Sequence, residues 1–162
     1  MRHARRLIVL LLTSAAVLLL LALALPWVLP MPERQPPPAR SPFANGAMHE
    51  ACGTRFHLRH WTPEAEVRGR VLLLHGFAGS THSWRHTGPA LAAAGYEALA
   101  VDLPPYGYGA RTPPEGSLSA CVAALASDRF GDAPFVAVGH SMGASVAARV
   151  AQAAGPRAAG LV

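Results

Sequence analysis

Gly139-His140-Ser141-Met142-Gly143 is the stretch of this chain whose residue types and spacing could do covalent chemistry. It has the form G-x-S-x-G. An apolar run, Phe135-Val136-Ala137-Val138, precedes it, and a helical pattern from Ser141 to Ala154 follows. A serine on so tight a strand-to-helix turn must take strained backbone angles, so the positions around it have to be small. The turn lifts the hydroxyl clear of the sheet. It also aims the amide of Met142, with the helix N-terminus behind it, at a carbonyl oxygen gaining charge under attack. The chemistry would be nucleophilic, with Ser141 as the attacking group. The same five letters also occur in ordinary glycine-rich turns; the strand before and the helix after favour the nucleophile reading.

Those flanks belong to a longer alternation of strand and helix. Val71-Leu72-Leu73-Leu74 is a short apolar run ending in His75-Gly76, the pattern of a strand buried on both faces. Trp84 to Ala94 reads as a helix stopped by Gly95, and Tyr96 to Val101 as a strand closed by Asp102. Pro104, Pro105, Gly107 and Gly109 make a turn-rich loop, after which Ser117 is placed to cap a helix running to Phe130. Residues 134–138 form the next strand, and Ala158 to Val162 begins another after Gly155-Pro156. Alternation of this kind requires right-handed crossovers and a mostly parallel sheet with helices on both faces. Gly53 to Trp61 alternates less cleanly and is expected to be an antiparallel edge strand.

Three segments now resemble the α/β-hydrolase fold serine hydrolases. LLLHGFAGSTHSW (72–84) is similar to that family's His-Gly oxyanion loop, VDLPPYGYGART (101–112) to its D-L-P-G-x-G-x-S loop, and VGHSMGAS (138–145) to its nucleophile turn. The resemblance covers residues 52–162. It implies that Ser141 is the nucleophile and that the backbone amides of Phe77 and Met142 form the oxyanion hole. It also implies that His75 shapes the oxyanion loop. Pro105 stands where glycine is usual, and Ala144 where a second glycine often follows the turn; neither touches the nucleophile assignment. The family's acid and histidine follow the nucleophile in chain order. Here no histidine follows His140. The expectation is therefore an N-terminal portion of a longer hydrolase, truncated before the last strands and inactive by itself. Loss of the imidazole base leaves only about 10³–10⁴-fold catalysis over water in serine proteases.

Other polar residues are weighed against this site. His140 flanks the serine, but the turn points it elsewhere, so it is not read as the base. Asp102 ends a strand at the same sheet edge, and its expected role is anchoring a loop. His49, His57, His60, His82 and His86 show no metal-ligand pairing beyond the i, i+4 spacing of His82 and His86, and no metal or other cofactor is expected. Cys52 and Cys121 could pair in an oxidising compartment. Cys121 lies in a helix where a small thiol packs well, so two free cysteines are expected.

The N-terminus carries a different message. Leu7 to Leu25 holds no charge, and only Thr13 and Ser14 are polar. As a helix, nineteen residues at about 1.5 Å each nearly match the ~30 Å hydrocarbon core of a bilayer. Arg2, Arg5 and Arg6 precede the run, which places the N-terminus in the cytoplasm and the remainder outside. Pro26 and Pro30 are expected to end this helix, with Trp27 at the interface. An uncleaved signal anchor competes with a cleavable signal peptide, for which Ala22-Leu23-Ala24 could supply the site. The length of the run favours the anchor. The expected organisation is an anchor over 1–29, a proline-rich linker over 30–47 with Pro36-Pro37-Pro38 as an extended spacer, and the catalytic-type domain over 48–162.

Charge excludes one partner class. All fourteen basic residues are arginine; five lie in residues 1–40 against one acid, and nine in 41–162 against eight. The net charge of +5 is thus mostly a property of the N-terminal arm, and no uninterrupted basic face is left for nucleic acid. The function expected is cleavage of a small-molecule or lipid-like ester, thioester or amide through an acyl-enzyme. A same-fold acyltransferase or haloperoxidase-like enzyme, or a non-catalytic membrane-anchored binding module, remains open. Aspartate-nucleophile dehalogenases and epoxide hydrolases are disfavoured by the serine at 141.

Overall fold

The computed structural model describes residues 2–28 and 36–162. The chain divides into two compact units, residues 1–35 and 36–162. In the first, α1 (Arg2–Val28) contains a 20-residue stretch, Arg6–Leu25, of mean hydropathy 2.9, long and apolar enough to cross a membrane. The helix continues two residues beyond Pro26 rather than stopping there. A proline there removes one i→i−4 hydrogen bond and crowds the carbonyl four residues before it, yet its fixed φ is helical and the helix ends within two residues of it. Residue 29 of the expected anchor, and Pro30 with residues 30–35 of the expected linker, lie outside the described residues.

The second unit is built on a six-stranded sheet. Its strands are β1 (Gly46–Ala51), β2 (Thr54–Trp61), β3 (Gly69–Leu74), β4 (Tyr96–Val101), β5 (Phe135–Gly139) and β6 (Ala158–Leu161), in the spatial order β1-β2-β4-β3-β5-β6. β4, β3, β5 and β6 are mutually parallel, whereas β1 and β2 run antiparallel to their neighbours. β2 is therefore antiparallel as expected but not at the edge. β1 covers it, beginning at Gly46 within the stretch read as linker. The turn between them is only Cys52-Gly53, with both residues at positive φ (49° and 68°) and Ala51 paired to Thr54. Two consecutive left-handed residues suit the right-handed twist of a hairpin. Cys-Gly is a poor advertisement for such a turn, which is why β1 escapes a sequence reading.

Alternation along β3 distributes its side chains between two cores. Leu72 and Leu74, with Leu99 and Val101 of β4, pack under α3 (Leu118–Phe130) and α4 (Met142–Ala154). Val71 and Leu73, with Ala98 and Ala100, face the opposite side, where Trp61, Trp84 and Leu91 of α2 (Thr87–Ala93) cover them. Helices thus lie on both faces of the sheet, and the apolar runs read as doubly buried strands are so. The helix expected from Trp84 is broken: a 3-10 turn at Thr81–Trp84 precedes α2. Ser117 stands at the N-cap of α3, but its hydroxyl bonds Ser119 Oγ at 2.8 Å and not a helix amide.

The expectation of two free cysteines is overturned. Cys52 and Cys121 form a disulfide, with Cα atoms 6.2 Å apart across 69 residues of sequence. Cys121 does pack on the buried face of α3, being 3% exposed. The left-handed hairpin turn brings Cys52 over that same helix turn.

Candidate active site

Ser141 sits where the sequence places it, between the end of β5 and the first turn of α4. Its backbone adopts φ 54°, ψ −118°, a left-handed conformation costly for any residue with a Cβ. The crowding around it is measurable at the glycines. A Cβ on Gly139 would overlap Gly143 O and stand 2.5 Å from Ala144 N; one on Gly143 would overlap Leu74 O and stand 2.5 Å from His75 O. A Cβ on Gly76 would lie 2.9 Å from His140 Nδ1 and 3.2 Å from Ser141 Cβ. The G-x-S-x-G spacing is thus a steric requirement of passing α4 this close to the end of β3. His140 N donates to Leu74 O at 3.0 Å, which ties the serine turn to that strand end.

Ser141 is exposed, as is His140, whose ring lies against the Gly76 turn. The Gly143 and Ala144 amides donate to His140 O and Ser141 O, both at 2.9 Å. Met142 N has no such backbone acceptor among the described residues. Phe77, the second expected donor position, is 75% exposed; its ring meets Tyr106 edge-on at 5.5 Å. Between Phe77 and β3, His75 is fully buried. His75 Nε2 accepts the Leu103 amide at 2.9 Å, so the proton resides on Nδ1, which donates to Gly76 O at 2.7 Å. His75 therefore couples the loop after β3 to the loop after β4.

Asp102 is more than a loop anchor. It is fully buried, and its carboxylate accepts hydrogen bonds from the amides of Thr81 and Tyr108 and from His57 Nδ1, the last at 2.8 Å. His57, considered above only as a metal ligand, faces Asp102 because Asp102 N donates to His57 O as β4 leaves the sheet beside β2. The signal that could have found this pair is an acid at a strand's C-terminal end and a histidine on the adjacent antiparallel strand. That requires knowing that the two strands are neighbours. Arg59, two residues along β2, stacks over Phe43 and Trp61 at 4.2 and 4.7 Å. Burial pushes its guanidinium below the ordinary value, and the charge of Asp102 opposes that. His82 lies in the 3-10 turn and His86 caps α2, so they do not share a helix face. Among the described residues Ser141 Oγ makes no side-chain hydrogen bond, and no group of three potential metal ligands gathers.

This fold and turn define a family. Residues 69–162 match the alpha/beta hydrolase fold family, and the chain belongs to it. The chain is 38% identical over 114 residues to epoxide hydrolase B of Mycobacterium tuberculosis, covering 68% of this chain and 32% of that protein. It is 37% identical over 115 residues to the dihydrolipoyllysine-residue acetyltransferase component of the acetoin cleaving system of Pseudomonas putida, covering 60% and 30%. Epoxide hydrolase A from Mycobacterium thermoresistibile superposes with a TM-score of 0.61 at 30% identity, over 72% of this chain and 37% of that one. The chain thus spans about a third of the length of these relatives.

Proposed function

We propose that Ser141 is the nucleophile of a serine hydrolase, attacking the carbonyl of an ester, thioester or amide while the Phe77 and Met142 amides hold the oxyanion. The observation that carries this is the left-handed backbone of Ser141 at the head of α4, enforced by glycines that admit no Cβ. Attack joins Oγ to the acyl carbon and expels the alcohol, thiol or amine with a proton; water then releases the acid. The activity is that of the whole protein. Among the described residues no base or acid touches Ser141, so these residues alone would be nearly inactive.

The names of the relatives favour a second reading, an epoxide as substrate. The chemistry at position 141 separates the two. A carboxylate opening an epoxide makes an ester that water can cleave, whereas a serine alkoxide would make an ether with no carbonyl to attack. Turnover assays of the full-length protein and its Ser141→Ala variant against an ester panel and an epoxide panel decide between them. Ester hydrolysis that vanishes in the variant is the expected result; epoxide opening that survives it would sink the serine mechanism.

The same proposal places α1 as a signal anchor with residues beyond it outside the cytoplasm. The Cys52–Cys121 bridge supports this side, because disulfides persist in oxidising compartments. A phosphatase reporter fused after Val162 should be active outside the cytoplasm; activity only of a cytoplasmic reporter would reverse the orientation.

A further inference from the structure

A second serine has the partners that Ser141 lacks. Ser41, in the segment leading into β1, places its Oγ 2.9 Å from His57 Nε2. His57 Nδ1 in turn lies 2.8 Å from Asp102 Oδ2. Two main-chain amides also donate to the Asp102 carboxylate, which marks it as the ionised acceptor. His57 therefore carries its proton on Nδ1 and presents a bare Nε2 to the Ser41 hydroxyl. The imidazole is fully buried in a three-ring cluster with Phe43 at 5.9 Å and Tyr108 at 5.4 Å, which lie 5.8 Å from each other. Nucleophile bonded to base, and base oriented by a buried acid, is the arrangement that activates a hydroxyl.

The serine itself is not sealed in. It is half-buried and lines a shallow cavity of about 420 Å³ together with Ala39, Arg40, Gly46, Ala47 and Met48. Arg40 is the cation at that cavity. The Phe43 amide donates to Ser41 Oγ at 3.1 Å and the Phe43 carbonyl lies 3.2 Å from it as a second acceptor for the hydroxyl proton, farther than His57 Nε2. A Cβ on Gly46 would overlap Ser41 Oγ and lie 3.0 Å from His57 Nε2, so glycine there is what lets the serine reach the ring.

We propose that Ser41, His57 and Asp102 form a second reactive-serine site, separate from Ser141, that is modified by small activated acyl or phosphonyl groups. In the step, Ser41 Oγ bonds to the acyl carbon or phosphorus and the bond to the leaving group breaks. His57 Nε2 takes the serine proton and passes it to the departing group, while Asp102 holds the Nδ1 proton throughout.

The test uses the full-length protein carrying Ser141→Ala, treated with a small methyl fluorophosphonate and mapped by peptide mass. A stable adduct on Ser41, formed about 100-fold faster than on the exposed Ser83 and Ser117, is the expected result. No adduct on Ser41, or labelling no faster than at those two serines, in protein that shows a cooperative thermal unfolding transition overturns the proposal. In a second variant, His57→Gln, labelling of Ser41 should fall about 100-fold; an unchanged rate in protein that keeps its thermal unfolding transition also overturns it. Labelling of Ser141 in the unmutated chain reports separately on the hydrolase reading.

Discussion

His75 and Leu103 lie 28 residues apart, yet the Leu103 amide donates to His75 Nε2 at 2.9 Å in a fully buried contact. The same ring donates from Nδ1 to Gly76 O, so one imidazole satisfies main-chain groups of two loops at once. Those are the loops that follow β3 and β4 at the sheet edge where Ser141 emerges. The geometry of the Phe77 loop thus depends on a side chain that never reaches solvent.

Replacing His75 with alanine should therefore be costly. The change leaves a buried amide and carbonyl unpaired and opens a cavity, together about 3–5 kcal/mol. Urea unfolding of the variant should show a midpoint lowered accordingly. A midpoint within experimental error of the parent would mean that the two loops are held without the imidazole.

At Ser141 the expected sign is reversed. A non-glycine residue at φ 54° carries strain of about 1–3 kcal/mol, which glycine relieves in part while adding entropy to the unfolded chain. Ser141→Gly should therefore gain about 1 kcal/mol in stability and lose all covalent labelling at position 141. Thermal melting checks the first outcome and fluorophosphonate mapping the second. A destabilised Ser141→Gly protein would show that the turn is not strained.

The Cys52–Cys121 bridge closes a loop of 69 residues. Chain-entropy reasoning gives such a cross-link about 4 kcal/mol, acting mainly on the unfolded state. Cys52→Ala with Cys121→Ala, or the unmutated chain under a strong reductant, should lose about that much unfolding free energy, read as a lower urea midpoint. Equal stability with and without reductant would mean that the bridge is not formed.

Much of the fold is legible along the chain because it is local. The β3 run Val71–Leu74 and the β5 run before Gly139 are apolar on both faces, and Gly139 and Gly143 bracket a serine that only small neighbours allow. What cannot be read locally depends on which strands become neighbours. β1 (GAMHEA) has no clean apolar alternation, and its turn is an unadvertised Cys-Gly, so the strand that covers β2 looks like linker. The Cys52–Cys121 bridge follows from the β1–β2 turn and the His57–Asp102 pair from β2 lying beside β4, joining residues 69 and 45 positions apart. Neither the spacing of the cysteines nor that of the histidine and aspartate encodes those contacts.

Asp102 offers the last and sharpest test of that non-local part. Its carboxylate receives three donors, the Thr81 and Tyr108 amides and the His57 ring, with no solvent to replace any of them. Asparagine has nearly the same shape but only one acceptor oxygen. Whichever way its amide turns, an NH₂ group must face a donor, leaving at least one buried N–H unpaired. The loop beyond is built to the same contact: Gly107 holds φ 63°, and a Cβ there would overlap the Asp102 carboxylate. Asp102→Asn should therefore lower stability by about 2–4 kcal/mol. It should also slow labelling of Ser41, because His57 would no longer be held with its proton on Nδ1. Unfolding and labelling measured on the same preparation separate the two effects. A variant that loses stability while Ser41 labels at the parent rate would leave Asp102 a structural anchor alone.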